Sequence, residues 1–118
     1  MNKNNKLTQL DNDLLDGYMQ SLGIDVVKKM FALYNQQVII YLKDIENSML
    51  NDNVELWQEH CHKMKGAAGS VGFKSLHARL VLMEKTTVGI TEKAQQFSEL
   101  KDHNKHALNA FNDWLETI

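Results

Sequence analysis

The chain contains no proline. Nothing therefore removes a backbone N–H or clashes with a preceding turn, and helices can run long. It has one cysteine, Cys61, which excludes an intramolecular disulfide and suits a reducing compartment. It has no large excess of either charge. Thirteen basic residues face 15 acidic ones for a net charge of −2, with no basic block, so the footprint of a nucleic-acid binder is missing. No apolar run approaches the roughly 20 residues that span a bilayer, and the opening MNKNNKLTQLDNDLL has no hydrophobic signal core. Strand signals are poor as well, with no alternating β-branched runs and no hairpin dipeptide between such runs. What is present is 118 residues, 43% of them apolar, enough for one core. These features predict a single cytoplasmic all-α domain over residues 1–118 that meets neither membrane nor nucleic acid. Met1 and the self-contained pattern point to a free-standing protein.

Apolar periodicity divides the chain into helices. A short one is expected over about 7–20, from Leu7 to Gln20, ending near Ser21-Leu22-Gly23. From Asp25 to Leu50, Val27, Phe31, Tyr34, Val38, Tyr41 or Leu42, Ile45 and Met49 recur at three- and four-residue steps, the mark of an amphipathic helix. The stretch Asn51-Asp52-Asn53 ends it and offers Asp52 or Asn53 as the next N-cap, with Glu55 placed to complete a capping box with Asp52. The third helix runs to about Ser70, with Gly72 as its stop. A fourth uses Leu76, Leu80 and Met83 and ends around Thr87 to Gly89. Thr91 is the expected N-cap of the last, which carries Phe97, Leu100, Leu108, Phe111 and Leu115. Short connections between long amphipathic helices favour antiparallel neighbours. The expected architecture is an antiparallel up-and-down four-helix bundle over about 20–118, with an additional short N-terminal helix.

The stretch HCHKMKGAAGSVG, residues 60–72, carries the chemistry. Val54, Trp57, Cys61, Met64, Ala68 and Val71 form one narrow stripe that must face the core. Cys61 is then a small buried hydrophobe. His62 lies one step round, toward solvent, in the company of Gln58, Lys65, Gly66 and Gly69. Helical side chains lean toward the N-terminus, so a glycine four residues on leaves the imidazole uncovered. Each interior glycine costs about 1 kcal/mol relative to alanine, so two on one face call for a reason. Close helix packing through Gly66, Ala67, Ala68 and Gly69 is one. The other is access: a neutral imidazole is a nucleophile that can carry a phosphoryl group, and Lys65 would bring an ammonium to the transferred oxygens. An exposed histidine, a lysine at +3 and a glycine at +4 together favour access.

The same residues carry a resemblance. HKMKGAAGSVG (62–72) is similar to the motif of the histidine-containing phosphotransfer (HPt) domain, roughly His-x-Leu/Ile/Met-Lys-Gly-small-small with a further glycine. The likeness extends over about residues 20–115. The wording KGAAGSVG is most like HPt domains of the hybrid sensor kinases that control anaerobic respiration in γ-proteobacteria. The resemblance implies a phosphorelay protein without kinase activity, shuttling a phosphoryl group between aspartates of two receiver domains, one in a hybrid sensor kinase and one in a response regulator. His62 falls on the phosphoacceptor, reacting through Nε2, and Lys65 on the assisting lysine. Gly66 and Gly69 fall on the residues that give steric access. A glutamine from the preceding helix, Gln36 in preference to Gln37, would hydrogen-bond His62. No cofactor is intrinsic, Mg²⁺ being supplied by the partner receiver, and the state expected is a monomer. His60 departs from the family's usual apolar or acidic residue.

Two other classes compete. A metal-binding bundle would need its histidines to converge, whereas His60 and His62, two apart, diverge on a helix. His103 and His106 lack a Glu-x-x-His or Cys/His partner set, and with His77 they are expected at the surface or boundary. A non-catalytic helical adaptor would leave the uncovered histidine without a purpose.

Overall fold

The freedom from proline shows first in two helices of 27 residues each. A computed structural model describes residues 9–118. Among these residues five helices follow one another: α1 (Asn12–Leu22), α2 (Ile24–Leu50), α3 (Val54–Ser70), α4 (Lys74–Lys85) and α5 (Ile90–Glu116). They form no strand, only one isolated backbone bridge between Leu10 and Phe73. Helices α2 and α3 pack together, as do α3 and α4, α4 and α5, and α5 and α2, so the four close a ring of neighbours, and α1 lies against α2.

Each boundary has a local cause. The helix expected from Leu7 begins at Asn12, and Leu7 itself lies outside the described residues. Asp11 caps it by accepting from the Leu14 N–H at 3.2 Å, and the Asp11 N–H donates to the Gly72 carbonyl at 2.8 Å. Of the two N-cap candidates for α3, Asn53 takes the role: its backbone is extended and its Oδ1 accepts from Leu56 N at 3.0 Å. Asp52 sits in the left-handed region at φ 51°, one residue too early, so the expected box with Glu55 does not form. Gly72, at φ 76°, ends α3 as expected. Phe73 N–H reaches back to the Ala68 carbonyl and Gly72 N–H to that of Gly69, the paired bonds of a Schellman motif.

Two expected boundaries move at the link from α4 to α5. Helix α4 stops at Lys85 rather than at Thr87 to Gly89, because Thr86 turns to extended backbone. The Met83 carbonyl in its last turn accepts from the Trp57 indole N–H at 2.8 Å and from the Thr86 N–H at 3.3 Å. Helix α5 is capped by the extended backbone of Gly89, with Thr91 already inside the first turn.

The core follows the predicted stripes. Trp57, Cys61, Met64 and Ala68 of α3 are fully buried, against Leu76 and Leu80 of α4, Ile45 of α2 and Leu100 of α5. Phe31 stacks on Phe111 at 4.2 Å, and Tyr34 meets the edge of Phe73 at 4.8 Å. Val54 leaves the stripe: as the first residue of α3 it is 48% exposed. Leu108 and Leu115 are only partly buried. Two polar residues take interior places that hydropathy does not announce. Asn104 accepts from the buried Tyr34 hydroxyl at 2.6 Å, and Lys93, 4% exposed, lays its ammonium over the Trp57 ring at 5.2 Å.

Candidate functional site

His62 and Lys65 each sit one residue past a core position of α3, after Cys61 and Met64 respectively. Glu84 stands in the same relation to Met83 of α4. These flanking positions meet at the rim of the α3–α4 interface. His62 Nδ1 lies 3.3 Å from both carboxylate oxygens of Glu84, and Lys65 Nζ lies 2.7 Å from Oε1. One carboxylate thus holds both of the residues singled out in the sequence. The lysine and the glutamate are mostly covered, at 21% and 23% side-chain exposure, whereas the imidazole is 66% exposed.

Charge settles the tautomer. Hydrogen bonding from Lys65 is the main influence holding the Glu84 carboxyl below its ordinary value; the hydrogen bond from His62 adds to it and burial opposes it. An ionised carboxylate only accepts. His62 must therefore donate from Nδ1–H, a long bond shared between two oxygens. With the hydrogen on Nδ1, Nε2 is the ring nitrogen that can carry a lone pair. Glu84 also sits in the last turn of α4, where the helix dipole disfavours an acid. The ammonium of Lys65 compensates it there.

The glycines separate. A Cβ added at Gly66 would meet nothing within 4 Å, so the space one turn from His62 is open. At Gly69 the same atom would come 3.1 Å from His77 Cδ2, so this glycine makes room for the protein's own α4. Gln36 is exposed on α2, and the hydrogen-bond partner of His62 Nδ1 is Glu84 of α4. Gln37 points elsewhere, into a groove of about 210 Å³ between α2 and α3 that Met30, Leu33, Tyr41, Ala67 and Ser70 also line. Leu33 and Ile40 are exposed apolar residues on α2.

The remaining reactive groups stay apart. His60 turns toward α2, with Nδ1 3.9 Å from Asp44 Oδ2, while His62 turns toward α4. Cys61 is buried, and burial first, then the charge of Glu84, pushes its thiol up to about 12. His103 and His106 stand with ring centres 6.2 Å apart. Among the described residues no group of three or more His, Cys, Asp or Glu side chains could hold a metal ion, and no helix is long and apolar enough to cross a membrane.

Sequence reasoning misses Glu84 because nothing local marks it. It lies 22 residues from His62, in LVLMEKTT, and reads as an ordinary exposed acid. The usable signal is its register, one step past Met83, which matches that of His62 and Lys65 once α3 and α4 are paired.

The fold and site define a helical bundle that presents one oriented, solvent-facing histidine beside a lysine and an uncovered glycine. The chain belongs to the Hpt domain family, whose model matches residues 29–116. It is 23% identical over 108 residues to the aerobic respiration control sensor protein ArcB of Escherichia coli K12 and, equally, to that of Shigella flexneri. The match covers 90% of this chain and 14% of those proteins, so the chain spans about one seventh of their length. The fold is similar to the solved histidine-containing phosphotransfer domain of ArcB from Escherichia coli, with TM-score 0.85 and 22% identity over 96% of this chain and 98% of that one. Membership of the family carries a phosphotransfer role in two-component signalling, as a phosphocarrier module.

Proposed function

We propose that His62 accepts a phosphoryl group from the aspartate of one receiver domain and returns it to the aspartate of another. The observation that carries this reading is the pairing of His62 Nδ1 with Glu84 while the rest of the ring stands open beside Gly66. The Nε2 lone pair forms the new P–N bond. The P–O bond of the acyl phosphate breaks, and its electron pair stays with the departing carboxylate. Return to a second aspartate reverses the step. Lys65 has three N–H donors and spends one on Glu84, which leaves others for the phosphoryl oxygens. Transfer of this kind demands in-line approach and charge compensation, and the open face at Gly66 and the ammonium of Lys65 supply them.

In this reading Mg²⁺ belongs to the receiver's side of the reaction, and the chain has no kinase activity of its own. The receivers of a hybrid sensor kinase and of a response regulator dock one at a time against a monomer in the cytoplasm, over His62 and the apolar groove of α2 and α3. The connections between α2, α3, α4 and α5 span only residues 51–53, 71–73 and 86–89, which supports an up-and-down antiparallel arrangement. The test is to mix a phosphorylated receiver with the parent and with His62→Gln. The parent acquires an acid-labile, base-stable phosphate and the variant none. A variant that accepts phosphate at the parental rate removes His62 from the reaction.

A further inference from the structure

A second groove, of about 330 Å³, opens between α4 and α5. It takes no part in the site at His62, whose contact with α4 is through Glu84. Ser75, Ala78, Arg79, Leu82 and Met83 line it from one face of α4, at steps of three and four residues, and Gln96 and His103 line it from α5. We infer that this groove binds a small carboxylic acid with an apolar body and, at the end away from the carboxylate, a hydroxyl group.

Charge selects the carboxylate. The lining side chains include one cation, Arg79, and no acid. Arg79 is held loosely from the rim: its Nη1 stands 3.8 Å from Oε2 of Glu99, too long for a hydrogen bond. An ion pair of that kind between partly exposed groups is worth little. A ligand carboxylate can take the guanidinium in two parallel bonds and release Glu99 to water. Unpartnered atoms select the rest. Among the described residues neither Oε1 of Gln96 nor Nδ1 of His103 has a hydrogen-bond partner, although both are closed off from water. A buried polar atom in that condition carries a cost that a bound group relieves. Gln96 supplies an acceptor, because its Nε2 already lies toward Thr86 Oγ1. His103, kept neutral by burial first and then by Arg79, supplies one N–H.

The register of the two helices orders these groups along the groove. Gln96 meets Thr86 just past the end of α4, and Arg79 meets Glu99 further along. Ser75 and His103 each stand one turn beyond that pair, on their own helix. Gln96 and His103 are seven residues apart on α5, roughly 10 Å along its axis, which sets the length of the ligand. The carboxylate sits at Arg79, where Ser75 and His103 can also donate to it. The apolar body lies along Leu82 and Met83, and the hydroxyl reaches Oε1 of Gln96. One end of the groove donates and the other accepts, so the ligand enters in one direction.

The experiment titrates the ¹⁵N-labelled protein with para-hydroxyphenylpropionate, which has the carboxylate, the apolar ring and the distal hydroxyl. Amide shifts should map to Ala78, Arg79, Leu82 and Gln96 and saturate with a Kd of about 1 mM, the affinity expected of a molecule of this size. Phenylpropionate, which lacks the hydroxyl, should bind about fivefold more weakly, and para-hydroxyphenylpropanol, which lacks the carboxylate, about tenfold. Arg79→Gln should weaken the acid about tenfold and leave the alcohol unchanged. Leu82 is exposed, so Leu82→Asp keeps the fold, checked by circular dichroism, and its like charge should abolish binding of the acid. The inference is overturned if the parent shows no saturable shift at about 10 mM probe, ten times the expected constant. It is equally overturned if the acid and the alcohol bind alike, if Arg79→Gln binds the acid as the parent does, or if the shifts map instead to Tyr41 and Ala67 in the groove of α2 and α3.

Discussion

Gly66 gives a prediction in which stability and function move in opposite directions. Glycine in a helix interior costs about 1 kcal/mol relative to alanine. The only structural reason to bear that cost would be a neighbour that a side chain cannot avoid, and a Cβ at Gly66 meets nothing within 4 Å. Gly66→Ala should therefore stabilise the fold by about 1 kcal/mol, a rise in Tm of about 4 °C for a domain of this size. Gly69→Ala should gain less, since its Cβ arrives 3.1 Å from His77 and the ring must give way. Function responds differently. In Gly66→Leu the side chain leans back over the His62 ring. A displacement of the reacting atoms by about 1 Å costs about 100-fold in rate. Thermal melts followed by circular dichroism, and the rate at which a phosphorylated receiver labels the protein, measure the two effects. A lower Tm for Gly66→Ala would refute the open space. Unchanged transfer by a folded Gly66→Leu would refute the claim that glycine is there for access.

Two other predictions concern the scaffold. Tyr34→Phe leaves the buried Asn104 carbonyl without the donor it holds at 2.6 Å, and should cost about 1–3 kcal/mol, read as a lower urea midpoint at unchanged slope; an unmoved midpoint contradicts the bond. Burial first, and then the charge of nearby Arg79, hold the His103 imidazole below its ordinary value of 6.5. The folded state then binds fewer protons than the unfolded one. The contribution of His103 is complete above pH 6.5 and is lost as pH falls through the window beneath it. Stability measured at descending pH should therefore drop more steeply in the parent than in His103→Gln, and identical slopes would contradict this.

Features that depend on periodicity are legible in the residue order alone. Trp57, Cys61, Met64 and Ala68 have to share a face because of their spacing, and His62 has to lie beside it. The fold keeps both arrangements. Helix ends are less legible, because a cap is a competition between adjacent residues. Asn53 prevails over Asp52 only because Asp52 turns left-handed, and Gly89 displaces Thr91 by supplying extended backbone. Long-range pairs are not legible at all. Lys93 reads as a solvated charge until Trp57 lies beneath it, and Asn104 reads as surface until Tyr34 reaches it across 70 residues. Glu84 goes unmarked in the sequence for the same reason, since it stands 22 residues from His62. A hydrogen-bond partner for His62 is fixed by which helix packs beside α3, and α2 and α4 both do.

The central claim is that His62 both receives and returns a phosphoryl group. A ³²P-labelled donor receiver, mixed with this protein and Mg²⁺ and then removed, should leave the label on His62, mapped by mass spectrometry of the base-stable peptide. Addition of a second, unlabelled receiver should then move it to that receiver's aspartate. Label found on any residue other than His62, or label that stays on His62 when every receiver of the source organism has been offered, would contradict the account.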